Sequence, residues 1–520
     1  MKSWFASSLL ALWAGAAWAS PASGLACLEQ YDLACAQAAV DPGDTSMPAV
    51  RLRAELDFAL GHFPEALASM ERVAAAQPAD QEVQALLDHY RVTVEATDGF
   101  VVERRQDVEI RYLPGTDLVL LDEAFETLQA AHDRIGPMLG GAPPGGIRME
   151  IYPTGERFTK ASGLPKEAVQ TTGVVALSKW TRLLVASPRT LGRGYAWKDT
   201  IAHEYIHYMV AWRSKDKTPV WLQEGIARSH EGFWRTNDPP VMQPYQQGLL
   251  ADALAHDSLV PLERMHPSMA FLSSADEAAL AYAQVSTMVE HLMDVAGADA
   301  VSRTLDEVRD GTDALQAVAD IGAKGDVATF MDGWRARLKK MNLVSRKLAA
   351  TPTVLGGDTD EFGLDPVLSQ NRERAGFARI GDLLLEAKRF EAALIEYEKA
   401  MPPDEPPSPA LSERKAEALV GLGKTKEAIA VLRASIDDYP EIAATRKRLA
   451  GLLLAQGDTA GALVQFRASA DTNPFDPEVQ QALAHLYTAA GKTELAQRHA
   501  RYKRILDLGG ETLDKDGADG

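Results

Sequence analysis

The stretch Trp197-Lys198-Asp199-Thr200-Ile201-Ala202-His203-Glu204-Tyr205-Ile206-His207-Tyr208-Met209-Val210-Ala211-Trp212 carries most of the chemistry in this chain. It is rich in apolar residues and contains neither Gly nor Pro, which predicts a helix. Positions i and i+4 of a helix share a face, so His203 and His207 can point at one cation while Glu204 sits beside it. Two imidazoles do not complete a catalytic metal site, which needs a third protein ligand and an open position. Downstream, Thr218-Pro219-Val220-Trp221-Leu222-Gln223-Glu224-Gly225-Ile226-Ala227 reads as a second helix, capped by Thr218 and started by Pro219. Glu224 follows His207 by 17 residues, which leaves room for a loop and a returning helix. Gly225 costs such a helix about 1 kcal/mol relative to Ala, which makes sense where another backbone must come close. His230 lies on the same helix and is the alternative third ligand. Without chemistry, the first stretch is a structural helix with two surface histidines. A structural zinc site has four protein ligands and no need of a carboxylate at 204, so the catalytic reading is favoured.

The combination of His-Glu-x-x-His with a later Trp-Leu-x-Glu-Gly-x-Ala resembles the gluzincin metallopeptidases, in particular the bacterial peptidase MA-like families. The resemblance covers about 250 residues, from 97 to 345, and implies an α+β, thermolysin-like zincin domain with a small mixed sheet over helices. It implies His203, His207 and Glu224 as ligands of Zn2+ and Glu204 as catalytic base. It also implies a role for Tyr282-Ala283-Gln284, where Tyr282 is either a donor to the transition state or a tyrosine anchoring a helix. The strand containing Leu183 to Val185 would offer its edge to an extended substrate. The metzincin pattern fails, because it needs Gly and His where Val210 and Arg213 stand. Strand-like segments at Val108 to Tyr112, Ile147 to Tyr152 and Arg182 to Ala186, with a helical pattern from Leu118 to Met138, suit such a domain. The Gly140 to Gly146 run lacks the Gly-Lys-Ser/Thr ending of a phosphate loop and reads as a connection.

A second signal lies in the C-terminal third. Gly423, Gly457 and Gly491 recur every 34 residues, each followed five places later by Ala428, Ala462 and Ala496, and Pro440 and Pro474 keep the interval. Phe377, Gly381, Ala393, Tyr397 and Ala400 give an earlier register. This resembles the tetratricopeptide repeat (TPR), in which small residues let paired helices approach closely. About four units span 373 to 506, and Gly61, Ala66, Met70 and Pro78 suggest one or two more within 20 to 96. Residues 346 to 372 read as a linker, and 507 to 520 as a disordered acidic tail.

The N-terminal residues 1 to 19 read as a signal peptide: Lys2, an apolar run from Trp4, and Ala17-Trp18-Ala19 before Ser20. Gly24-Leu25-Ala26-Cys27 does not fit a lipoprotein signal, because the leucine is one place too close. No later run is long and apolar enough to span a membrane, so the mature chain is expected to be exported, periplasmic or secreted. Cys27 and Cys35 are the two cysteines. An oxidising compartment permits them to pair, provided the chain turns near Gln30 to Asp32; two free buried thiols are the alternative. The 54 basic and 73 acidic residues give a formal charge of -19, and without clustered Lys and Arg there is little attraction for nucleic acid.

These features together predict an exported zinc metallopeptidase acting on a protein or peptide substrate, with repeats that recruit a protein partner or substrate. The rival is an inert TPR scaffold with a degenerate peptidase domain, and zinc-dependent hydrolysis of a non-peptide amide uses the same residues.

Overall fold

The computed structural model describes residues 20–164, 174–238, 240–265, 269, 272–351 and 365–509. The expected signal peptide, and the tail from 510 onward, lie outside them. Among the described residues no helix is long and apolar enough to cross a membrane.

The chain divides into two compact units, the first ending at Tyr90. In the first unit, α1 (Pro21–Glu29) and α2 (Leu33–Ala38) are joined by a Cys27–Cys35 disulfide with 5.8 Å between Cα atoms. One continuous helix would hold these cysteines about 12 Å apart. The break at Gln30 to Asp32, with Tyr31 at φ 59°, is what lets them meet. Helices α3 (Met47–Leu60) and α4 (Phe63–Ala76) form a hairpin around left-handed Gly61, with Ala66 and Met70 fully buried. Helix α5 (Gln81–Ala96) follows, and Phe58 stacks on Tyr90 with ring centroids 4.0 Å apart.

The second unit opens with a five-stranded mixed sheet: β1 (Val101–Arg105), β2 (Val108–Tyr112), β3 (Ile147–Tyr152), β4 (Ala176–Lys179) and β5 (Arg182–Ala186), in the order β1-β2-β3-β5-β4. The two outer pairs are antiparallel and the inner pairs parallel. The expected strands are present, but β1 and β4 were not legible. β1 leaves Val101 and Val102 exposed, and β4 is four residues long. The β4–β5 turn places Trp180 and Thr181 at φ 51° and 59°, a conformation usually signalled by Asn-Gly or Asp-Gly. One expectation is corrected here: β5 lies between β3 and β4, so Leu183 to Val185 cannot offer a free edge. The edge on that side is β4. Glu150 and Arg182 form a buried ion pair at 2.6 Å between β3 and β5, and the Tyr152 hydroxyl donates to Glu150 at 2.6 Å.

Helix α6 (Leu121–Met138) packs against β2, and α7 (Gly155–Ser162) covers β5, where Phe158 and Ala161 share a core with Leu184 and Ala186. The domain continues with α8 (Trp197–Ser214), α9 (Val220–His230), α10 (Pro244–Ala255), α11 (Ala275–Ala296), α12 (Ala300–Asp310), α13 (Ala314–Ala323) and α14 (Val327–Lys340). Helix α8 lies against α6, β4 and β5.

Eight helices then form four consecutive hairpins. They are α15 (Arg372–Glu386), α16 (Phe390–Ala400), α17 (Pro409–Gly421), α18 (Thr425–Asp438), α19 (Ala443–Ala455), α20 (Thr459–Thr472), α21 (Pro477–Ala489) and α22 (Thr493–Asp507). The recurring Gly423, Gly457 and Gly491 all sit at positive φ in the turns within hairpins, and Ala428 and Ala462 are fully buried where paired helices meet. The stretch expected as a linker is not a free connection over its described part. Ala349 N donates to the Tyr439 hydroxyl at 3.1 Å, and Arg346 pairs with Asp438 at 2.8 Å. Asp365 accepts from Ser408 in the array. Elsewhere Lys198 bridges Glu123 and Asp471, Arg498 meets Glu126, and Tyr195 N donates to Thr472 O at 3.0 Å. The array is therefore seated on the domain.

His499 illustrates a pH-sensitive element of that array. It is buried between Tyr487 and Tyr502, with Nδ1 2.7 Å from Gln480 Oε1, and burial, then the Arg498 and Lys198 charges, push its pKa from 6.5 down to about 4. The folded state thus holds this proton more weakly than the unfolded chain. The stability it contributes is complete above pH 6.5 and falls away as the pH drops toward 4. Chemical denaturation at both pH values is expected to show His499→Phe losing less stability than the wild type over this interval, by on the order of 3 kcal/mol.

Candidate metal centre

Helix α8 places the His203 and His207 rings at i and i+4, with centroids 4.7 Å apart and Nε2 atoms 3.0 Å apart. Helix α9 then returns a carboxylate: Glu224 Oε2 is 3.3 Å from His203 Nε2, and Oε1 is 3.7 Å from His207 Nε2. The start of α9 differs from expectation. Its N-cap is Pro219 in extended conformation, with no side-chain cap, and Thr218 contributes only its carbonyl, which accepts from Gln223 at 2.7 Å. Gly225 explains how α9 reaches its place. A Cβ there would lie 2.7 Å from Val285 O and 2.9 Å from Val289 Cγ2, so the bare backbone lets α9 press against α11.

The donor set fits a tetrahedral cation. Zinc bonds of about 2.0–2.1 Å to N and O imply ligand atoms roughly 3.3 Å apart, and the spacings here run from 3.0 to 3.7 Å. Burial alone would raise the Glu224 carboxyl, but the charges of His207 and His203 hold it well below the usual carboxylate range. Burial alone would lower the His203 imidazole, but hydrogen bonds to Glu224 and Glu231 raise it to about 9. The pocket thus stabilises opposite charge on Glu224 and His203, which is what a bound cation would replace.

Glu204 is buried on the same helix; burial raises its pKa, partly offset by His207 and His203. Tyr282, on α11, has its hydroxyl pKa pushed up by the Glu224 charge first and burial second, which places it within electrostatic reach of the cluster. Its neighbours do other work. Ala283 is core, and Gln284 clamps Val260 through two backbone hydrogen bonds of 2.8 and 2.9 Å. His230 does not join the cluster. Its ring is fully buried, with Nδ1 2.9 Å from both Ile226 O and Ser229 Oγ, and burial drops its pKa to about 4.

Two residues were not anticipated from the sequence. Glu231, at the end of α9, accepts from His203 Nδ1 at 2.7 Å and so orients that ring. Arg228 holds Glu231 at 3.3 Å and lies 5.3 Å from the Tyr282 ring centroid. An Arg and a Glu three apart at a helix end read as a solvated pair, so no local pattern reveals this arrangement.

Residues 129–340 match the family model of the Peptidase MA superfamily, and residues 419–486 match a tetratricopeptide repeat. The chain thus contains a Peptidase MA superfamily domain followed by tetratricopeptide repeats. Among solved structures, a mutant of MamA shares 18% identity over 27% of this chain and 94% of its own, with a TM-score of 0.17. MamA from AMB-1 and MSR-1 each share 19% identity over 26% of this chain, covering 93% and 98% of their own lengths, at a TM-score of 0.16. A likeness that weak says nothing of what this chain does. No curated protein matches the chain.

The close packing of the peptidase MA domain at Gly225 makes a direct prediction. Gly225→Ala is expected to destabilise the protein by about 1–3 kcal/mol through overpacking against Val285 and Val289, read as a lower denaturation midpoint with an unchanged slope.

Proposed function

We propose that this protein is an exported zinc metallopeptidase that hydrolyses peptide bonds. The observation carrying this reading is the convergence of His203, His207 and Glu224 within one bonding sphere, with Glu204 buried beside it. The three convergent side chains would hold the metal, and Glu231 would orient His203. Zinc supplies Lewis acidity there, acidifying water toward a pKa of about 7 and polarising a carbonyl.

Glu204 takes the proton of the attacking water and returns it to the nitrogen of the leaving amine, a double use that its raised pKa favours. Tyr282 keeps its hydroxyl proton in this anionic setting and can donate a hydrogen bond to the developing oxyanion. An extended substrate would pair with the β4 edge, where backbone hydrogen bonds give affinity with little sequence selectivity. Export is supported by the N-terminal Lys2 and apolar run. The Cys27–Cys35 bridge is also consistent with an oxidising compartment.

Two measurements test the roles. Glu204→Gln is expected to bind zinc like the wild type by metal analysis while losing chelator-sensitive hydrolysis of an unfolded protein, by at least the 10²–10⁴-fold typical of a positioned base. Comparable turnover in the variant would refute the base, and no chelator-sensitive turnover in the wild type would leave the scaffold reading. Glu231→Gln is expected to weaken zinc binding about 10–100-fold in a competitive chelator titration, because His203 loses its orienting carboxylate.

A further inference from the structure

A cavity of about 430 Å³ opens beside the metal centre, lined at one end by Arg228, Glu231 and Tyr282. Its other end is built by the repeat array, from Asp438, Tyr439 and Glu441 at the turn between α18 and α19. Between them stand Met242 and Tyr245, and Val241 is 84% exposed. This volume falls within the range of small-ligand sites. It shares Glu231, which holds His203, and Tyr282 with the surroundings of the cluster, so a substrate bound at the cluster would extend into it.

The array wall is held in position. Tyr439 accepts from Ala349 N, Asp438 pairs with Arg346, and Glu441 accepts from the Thr351 hydroxyl. The lining carries four carboxylates, on Glu231, Glu290, Asp438 and Glu441, against the single guanidinium of Arg228. Arg228 is already turned to Glu231, and Glu290 and Asp438 are partnered by Arg337 and Arg346, which lie outside the lining. Three tyrosines, Tyr245, Tyr282 and Tyr439, add aromatic surface. With Glu231, Glu290 and Asp438 already paired to arginines, Glu441 is the lining carboxylate left to meet a cation, and with the three tyrosine rings it suits a long aliphatic side chain ending in a cation.

We propose that the repeat array forms the far wall of the substrate cleft, and that this cavity receives a lysine or arginine side chain of the bound peptide. The assignment builds on the peptidase reading but is tested by binding alone. The full chain carrying Glu204→Gln is titrated with fluorescent peptides of alanine and glycine that differ at one residue: lysine, norleucine or glutamate. The lysine peptide is expected to bind about tenfold more tightly than the norleucine one, and glutamate most weakly. Adding Asp438→Asn with Glu441→Gln, which keeps oxygen acceptors facing Arg346 and Thr351, is expected to bring the lysine preference to about twofold or less. Equal affinity for lysine and norleucine overturns the assignment, as does a preference that survives the paired substitution. The norleucine comparison needs no array variant, so it decides even where that substitution disturbs docking. Cleavage of the same peptides by the wild-type chain reads the other proposal separately. Lysine-selective binding without cleavage sinks the peptidase reading and leaves the cavity assignment standing, whereas cleavage without selectivity does the reverse.

Discussion

The approach of α9 to α8 and α11 is the constraint on which the centre depends. Glu224 can reach the two imidazoles only because its neighbour, Gly225, has no side chain to hold α9 away from Val285 and Val289. That packing converts a local helical motif into three convergent donors. Bringing a carboxylate and two histidines into a buried site is unfavourable unless each charge meets an opposite one. The pKa shifts of Glu224 and His203 record that compensation, one driven down and the other up.

A second layer holds the first in place. Glu231 fixes His203 through Nδ1, leaving Nε2 for the shared centre, and Arg228 fixes Glu231 while covering Tyr282. The same two residues line the cavity whose other lining residues include Asp438, Tyr439 and Glu441 of the repeat array. Repeats of this kind are commonly regarded as tethers for partners. Here the described residues seat the array against the domain through Lys198, Tyr195, Arg346 and Ala349.

Much of the fold was legible because its signals are local. The parallel strands β2, β3 and β5 announce themselves as apolar or alternating runs, and the 34-residue interval of glycines and alanines marks the hairpins. The antiparallel outer strands did not. β1 exposes its two valines and both of its arginines, and β4 is short and enters a turn through Trp180 and Thr181 rather than glycine or asparagine. Misplacing the free edge on β5 followed from not seeing β4. The buried Glu150–Arg182 pair was equally invisible, since two charged residues in strand segments look solvated until both faces of the sheet are covered.

His203, Glu204 and His207 were readable by themselves, because four residues make one helical turn and geometry follows from spacing alone. Glu224 and Tyr282 needed likeness to a family, and His230, on the same helix as Glu224, could be set aside only when its ring was seen buried against Ile226 and Ser229. The carboxylate behind His203 and the wall that Tyr439 adds to the cavity were decided by tertiary structure. Each depends on which surfaces pack together across tens or hundreds of residues, and packing is a property of shapes and buried charge that no periodicity along the chain encodes.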